Sequence, residues 1–267
     1  MNILEKIVSD KRKEVAQSKD AVSIKRLEQT ELFTRTPVSL SKNLKKGGKS
    51  GVIAEIKRSS PSTSTLNTNV NIEQISKGYV KAGATALSIL TDEKYFAGTV
   101  EDLKLARSFN ACPILRKDFI IDEYQVLESK SIGADCILLI AACLTPNEVS
   151  QLAALAKSLQ LEVLLEVHSA LEAETHFNEH VDVLGVNNRN LKSFETDITM
   201  SIDLFQYLPQ EICKISESGI TTGQDLFKLK SCGYDGFLIG GHFMKTSSPA
   251  NACKELIDDY KSMSDEG

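Results

Sequence analysis

From Gly51 onward the chain repeats one pattern about eight times: a short apolar run, a turn, then an amphipathic stretch. The apolar runs lie at 52–57, 85–90, 113–117, 135–140, 162–167, 182–187, 212–216 and 236–240, spaced roughly 20–33 residues apart, which leaves room for one helix between each pair. The helix starts are marked chemically. Asn71 with Gln74, Thr99 with Asp102, Asp122 with Gln125, Thr145 with Glu148, Ser169 with Glu172 and Thr222 with Asp225 have the spacing of a capping box or a close variant. Pro146 and Pro249 suit a first helical position, and Gly83, Gly133 and Gly233 suit helix ends. Strand–helix alternation of this regularity predicts a parallel sheet, and eight units predict a (β/α)8 TIM barrel over residues 51–260. A doubly wound sheet is the alternative, but no GxGxxG or GxxxxGK[ST] loop follows the first strand.

Residues 1–48 fall outside the repeat. Ile3, Leu4, Ile7, Val8 and Val15 recur on a helical period, so 3–15 reads as an amphipathic helix that must lie on something. A weaker helix is expected at 21–33, and a shorter helix with a loop at 34–50. The 267 residues are thus read as one domain, a barrel with an N-terminal helical extension.

Composition removes several function classes. A net charge of −5 with no basic stripe argues against nucleic acid, and Lys42, Lys45, Lys46 and Lys49 beside two glycines read as a solvated loop. No apolar run approaches membrane-span length, and the start is too charged for a secretory signal, so a cytoplasmic protein is expected. Six cysteines without a CxxC pair read as free thiols in a reducing compartment, with Cys136 and Cys213 inside apolar runs.

In a barrel of this kind the active site lies where the strands end. Strand one ends with Glu55 and Lys57, strand three with Lys117, and strand five with Glu166 and His168. Strand six ends with Asn187, Asn188 and Arg189, and strand seven with Glu217, Ser218 and Gly219. Side chains alternate along a strand, so Ile53, Glu55 and Lys57 share a face, as do Leu115 with Lys117 and Leu164 with Glu166. If those faces point inward, two ammonium groups and two carboxylates converge, a set able to donate and accept protons. Ser218-Gly219 and Gly240-Gly241 close the last two strands with small, backbone-exposing residues, the usual phosphate cradle of this fold, to which Ser60 and Ser62 can add hydroxyls. A phosphorylated small molecule is therefore the expected substrate. The histidines give no HExxH pattern and no metal site is expected; His176 and His180 are read as solvent-facing, His168 as a neighbour of Glu166, and His242 as a residue within reach of the phosphate.

These residues sit in motifs that resemble the indole-3-glycerol-phosphate synthase family from end to end: IAEIKRSSPS, AGATALSILTDEKYFAG, ILRKDFI, GADCILLIA, LLEVH, LGVNNRNL, ISESGI and FLIGGHFM, in that order. The resemblance implies a lyase of tryptophan biosynthesis that needs neither cofactor nor metal. It converts 1-(2-carboxyphenylamino)-1-deoxyribulose 5-phosphate to indole-3-glycerol phosphate, with loss of carbon dioxide and water. It further implies Lys117 as general acid and Glu166 as partner carboxylate. Lys57 would be the anchor of the substrate carboxylate and a helper acid, with Glu55 as organiser. Asn187 and Arg189 would orient the substrate. Ser60, Ser218, Gly219, Gly240 and Gly241 would form the phosphate and ribulose side, and Leu90, Phe96, Phe119 and Leu138 the aryl wall. A monofunctional monomer is the expected state. Three departures stand out: GGH in the phosphate loop, Ala97 where family members often carry glycine or a polar residue, and a loop after the first strand, STSTLNTNVNIEQ, without an early glycine. A Schiff-base aldolase using Lys57 or Lys117 as nucleophile is the competing enzyme on this fold.

Overall fold

A computed structural model describes residues 3–61, 66–67, 70–190 and 194–265, without the side chains of 264 and 265; Ser62 lies outside the described residues. Eight parallel strands close into a barrel in sequence order. They are β1 Val52–Ile56, β2 Ala86–Leu90, β3 Ile114–Lys117, β4 Cys136–Ile140, β5 Glu162–Val167, β6 Val183–Asn187, β7 Cys213–Glu217 and β8 Gly236–Ile239. β8 pairs back onto β1, Val52 beside Phe237, which closes the ring. Each strand matches its apolar run to within two residues.

The capping chemistry holds for most of the helices. Thr99, Thr145 and Thr222 form reciprocal capping boxes with Asp102, Glu148 and Asp225. Asp122 departs from its expected spacing: it caps the Tyr124 amide, and Gln125 turns instead to the Ile121 amide and the Phe119 carbonyl. Gly83 and Gly233 end their helices in the left-handed region at φ 102° and 116°, where a side chain is disfavoured. The expected helix through His176 and His180 stops at His176, whose Nε2 lies 3.1 Å from the Leu144 carbonyl oxygen; His176 is therefore tied to a neighbouring loop.

The alternation of the strands sorts two cores. One face of each strand packs against the surrounding helices, with Val52, Ala54, Leu87, Ile89, Leu139 and Leu165 all buried there. The other face fills the barrel interior with Ile53, Ala86, Leu115, Cys136, Leu138, Leu164, Val183, Ile215 and Leu238. The two faces fix the aim of everything that follows. Two residues beyond Ile53, Leu115, Leu164 and Ile215 come Glu55, Lys117, Glu166 and Glu217, so these point inward as well.

The extension touches both ends of this core. Leu40 and Leu44, on helix Leu40–Lys45, join the interior cluster at the end where the strands begin. There Ser39 and Ser41 donate to the Glu162 carboxylate at 2.5 and 2.8 Å. Helix Ile3–Ala21 crosses the other end. It is longer than the predicted 3–15, and its buried residues are Ile7, Lys11 and Val15, one turn apart. The Lys11 ammonium, 1% exposed, sits 2.8 Å from Asp92 and 2.9 Å from Asp118, in the loops that follow β2 and β3. An isolated charge in such a place would be expelled. Burial pulls against the Lys11 ammonium, but Asp118 and Asp92 outweigh it and hold the group firmly protonated. The predicted weak helix at 21–33 is a short helix, Ile24–Glu28, followed by a single 3-10 turn. Among the described residues no helix is long and apolar enough to cross a membrane.

Candidate active site

Lys117 ends β3 with its ammonium inside the mouth of the barrel. It lies 2.8 Å from Glu166 Oε2 on β5 and 3.2 Å from Glu217 Oε2 on β7. Its side chain is 14% exposed, so the group is largely dry but reachable. Burial disfavours its charge, and the carboxylates of Glu166, Glu217 and Glu55 more than offset that, so Lys117 stays protonated well above the ordinary lysine range. Across the mouth Glu55 Oε1 accepts from Lys57 Nζ at 2.5 Å, and Glu55 Oε2 accepts from Ser88 Oγ at 3.4 Å. The four charged residues expected from strand parity are therefore gathered in one place.

Glu217, which the sequence places at the end of strand seven without assigning it a role, is the fifth member. The two carboxylates flanking Lys117 do not behave alike. Burial pushes Glu166 up, but Lys117 at the shorter distance, then His168 and the Asn187 side chain, bring it below the usual carboxylate range. Burial also raises Glu217; Lys117 compensates less, Glu166 repels it, and its carboxyl is pushed up to about 7. One oxygen, Glu217 Oε1, is buried without a hydrogen bond among the described residues. The pair thus divides into an anion and a group that exchanges a proton near neutrality.

The glycines around the site make room for these side chains. A Cβ on Gly240 would stand 2.5 Å from Glu55 Oε1 and 2.9 Å from Glu55 Cβ. A Cβ on Gly185 would collide with Glu217 Oε1, which explains glycine in the middle of β6. A Cβ on Gly241 would meet nothing within 4 Å, so the space above β8 is open. Gly219, at φ 78°, follows Ser218 at φ 69°, a left-handed turn that leads the chain away from Glu217. Asn188, 1% exposed, secures this turn by donating to Ser216 Oγ at 2.9 Å and to the Ser218 carbonyl at 3.0 Å.

The remaining candidates line the same mouth. Asn187 Oδ1 accepts the Arg189 amide at 3.0 Å, and the Arg189 guanidinium donates to the Phe194 carbonyl while feeling Glu55. Phe96 and Phe119 face one another at 6.2 Å between ring centroids, and both pack on the interior cluster that holds Leu138. Ser60 stands just past β1, in the stretch where the Ser59 amide donates to the Phe96 carbonyl at 3.3 Å. An open groove of about 620 Å³ lies at the opposite end, between Lys42, Lys45 and Glu211; it contains none of the convergent acid–base groups. The described residues hold no group of three or more His, Cys, Asp or Glu side chains placed to bind a metal ion.

An ammonium set between two unlike carboxylates, at the strand ends of an eight-stranded parallel barrel, defines an acid–base enzyme of the (β/α)8 class. The chain belongs to the indole-3-glycerol phosphate synthase family, whose sequence profile matches residues 4–256. It is 45% identical to the indole-3-glycerol phosphate synthase of Bacteroides thetaiotaomicron over 257 residues, covering 96% of this chain and 98% of that protein. Against those of Polaromonas naphthalenivorans and Carboxydothermus hydrogenoformans the identities are 40% and 38%, with 96% and 95% of this chain covered and 98% and 99% of those proteins. Solved structures show the same fold at low identity. The tryptophan synthase alpha subunit of Legionella pneumophila superposes with a TM-score of 0.60 at 14% identity, over 85% of this chain and 97% of that one. The 3-hexulose-6-phosphate synthase of Salmonella typhimurium gives 0.63 at 12%, over 79% and 99%.

Proposed function

We infer that this chain is a decarboxylating lyase of tryptophan biosynthesis, closing 1-(2-carboxyphenylamino)-1-deoxyribulose 5-phosphate to indole-3-glycerol phosphate. The observation that carries the site assignment is the Lys117 ammonium held between Glu166 and Glu217. Ring closure joins an aryl carbon to the ketone carbon, and the ketone oxygen must gain a proton as it becomes a hydroxyl. Lys117, protonated in the resting site, can supply it and is left neutral until a proton returns. The carboxylate then leaves as carbon dioxide and its electron pair restores the aromatic ring. Loss of the new hydroxyl as water takes a second proton, for which Lys57 is the nearby acid, and a C–H proton leaves to a carboxylate to complete the indole. Glu166, held ionised, stabilises positive charge on the anilino nitrogen. Glu217, near neutrality, is suited to return a proton to Lys117.

The other assignments follow the same reading. Lys57 anchors the substrate carboxylate and Glu55 keeps Lys57 in place; Asn187 and Arg189 orient the substrate. Phe96, Phe119 and Leu138 hold the aryl ring near the ketone, which raises the effective concentration of the reacting carbon. Ser60, Ser218, Gly219, Gly240 and Gly241 receive the ribulose phosphate end. The chain acts as a single-domain cytoplasmic monomer that binds neither nucleic acid nor membrane.

A Schiff-base aldolase requires a neutral lysine as nucleophile. The carboxylates around Lys117 work against that state, so the acid–base reading is favoured. Incubating the purified protein with the carboxyphenylamino-deoxyribulose phosphate, and following the indole chromophore, tests the assignment. The expected result is stoichiometric indole-3-glycerol phosphate and no covalent adduct on borohydride treatment. Absence of product, or a trapped lysine adduct, would overturn it.

A further inference from the structure

His168, which directly follows β5, is a buried ring that the reaction scheme leaves without a task. Its side chain is only 10% exposed, yet neither ring nitrogen has a hydrogen-bond partner among the described residues. Buried polar groups are rarely left in this condition. Nε2 stands 3.8 Å from Glu166 Oε1, and Nδ1 stands 3.6 Å from Glu172 Oε2. Both distances lie inside ion-pair range and just outside hydrogen-bond range, so a displacement of well under 1 Å closes either bond. Glu172 is held in place by the backbone of the same residue, because its Oε2 also accepts the His168 amide at 2.6 Å. Glu166 meanwhile gives its other oxygen, Oε2, to Lys117. The result is a chain of alternating charge: Lys117, Glu166, His168, Glu172.

We propose that His168 is a positioning residue for Glu166: as an imidazolium set between two carboxylates, it keeps Glu166 ionised and turned toward Lys117 during turnover. The proposal rests on the acid–base reading of the site given above. A neutral ring could serve one carboxylate with its single N–H but would turn a bare lone pair toward the other, whereas a charged ring offers an N–H to each. The groups that face it support the charged form. Glu166 lies on its own strand, Glu172 on helix Ala170–His176, and Glu217 on β7 at longer range. Cys143, in the turn after β4, has its thiol pushed up to about 12 by burial and then by the same two carboxylates, so it adds no charge at neutral pH. Burial lowers the affinity of the ring for a proton, but Glu172 and Glu166 outweigh burial and raise it above the ordinary histidine value.

The sign of the pH effect follows. The imidazolium is present at low pH and is lost as pH rises through its raised pKa, so its support of Glu166 disappears on the alkaline side. In the wild type, kcat should show a downward inflection above the ordinary histidine range. His168→Gln should remove the His168 part of that fall, leaving the one that Glu217 brings near 7, and lower kcat at pH 7 about tenfold, or about 1.4 kcal/mol, with KM changed less than about twofold. Glu172→Gln, which keeps an oxygen for the backbone amide, should shift the inflection to lower pH. A role confined to packing would lower stability in both variants without moving the profile.

NMR titration of histidine-labelled protein reads the same group without any turnover, the His168 signal being identified by its loss in His168→Gln or its shift in Glu172→Gln. The expected result is a His168 pKa above the ordinary value that falls in Glu172→Gln. A His168 that is neutral at pH 6, or kcat profiles of wild type and His168→Gln that coincide, would overturn the proposal. If the wild type makes no indole product, the functional reading fails, but the NMR titration still decides the state of the ring.

Discussion

Replacing Glu217 by Gln should make the protein more stable and less active, and the size of the first effect can be worked out from the site. Burial and the Glu166 charge lift the Glu217 carboxyl from 4.5 to about 7, even with Lys117 at 3.2 Å. The folded pKa lies above the unfolded one, so the folded state holds the proton more tightly. Stability is therefore lost as pH rises from about 4.5 to about 7, and the full penalty is present above that. At 1.36 kcal/mol per unit, the penalty is about 3 kcal/mol. Gln carries no charge to desolvate, fills nearly the same volume, and leaves Lys117 its closer partner Glu166 at 2.8 Å. The variant should exceed wild type by about 2–3 kcal/mol at pH 8, a rise in Tm of roughly 5–10 °C for a chain of this size. At pH 4.5 the two should nearly coincide. The assay is thermal unfolding by circular dichroism across pH 4.5–8, with kcat measured on the same samples. We expect kcat to fall about ten- to a hundredfold, since the variant cannot return a proton to Lys117. A variant no more stable than wild type at pH 8, or a gain independent of pH, would refute this account of Glu217.

Lys11→Met removes the buried ammonium between Asp92 and Asp118, leaving Asp92 without its ion-pair partner and Asp118 with Arg116 alone, so urea unfolding at pH 7 should show a loss of about 3–5 kcal/mol. Gly240→Ala drives a methyl group against Glu55 and should lower kcat/KM about ten- to a hundredfold through displacement of the Glu55–Lys57 pair, whereas Gly241→Ala, with open space at its Cβ, should unfold at the wild-type temperature. Ala97 holds a left-handed conformation at φ 52°, and Ala97→Gly should raise stability by up to about 1 kcal/mol, read as a shift of the urea midpoint at constant slope.

The barrel was legible in the sequence because its signals are local and redundant. Apolar runs, capping residues such as Thr99 and Thr222, and stop glycines such as Gly83 all mark the same boundaries. Strand parity carried the inward aim of Glu55, Lys117 and Glu166, since a two-residue period leaves no freedom once one neighbour is known to be interior. The same rule applied to Ile215 points Glu217 inward, but the small Ser218-Gly219 pair beside it read as a phosphate turn, and Glu217 was given no role. Gly185 opposite was a further signal, since glycine inside a strand marks a close approach. Lys11 was not legible from composition, because a lysine in a charged amphipathic helix reads as solvated. Its spacing of four from Ile7 and four from Val15 places it on the buried face, and Asp92 and Asp118, far off in sequence, join the local Glu14 in making that position tolerable. The distances that set Glu166 and Glu217 apart depend on three strands at once and have no sequence signature.

The central claim is that the charged Lys117, held by Glu166 and Glu217, protonates the ketone oxygen during ring closure. Single-turnover formation of indole-3-glycerol phosphate by Lys117→Met, folded by circular dichroism and saturated with substrate, tests it most directly. The account predicts a rate at least about a thousandfold below wild type, which is more than 4 kcal/mol of lost transition-state stabilisation. A rate within tenfold of wild type would place the proton donor elsewhere and contradict the claim.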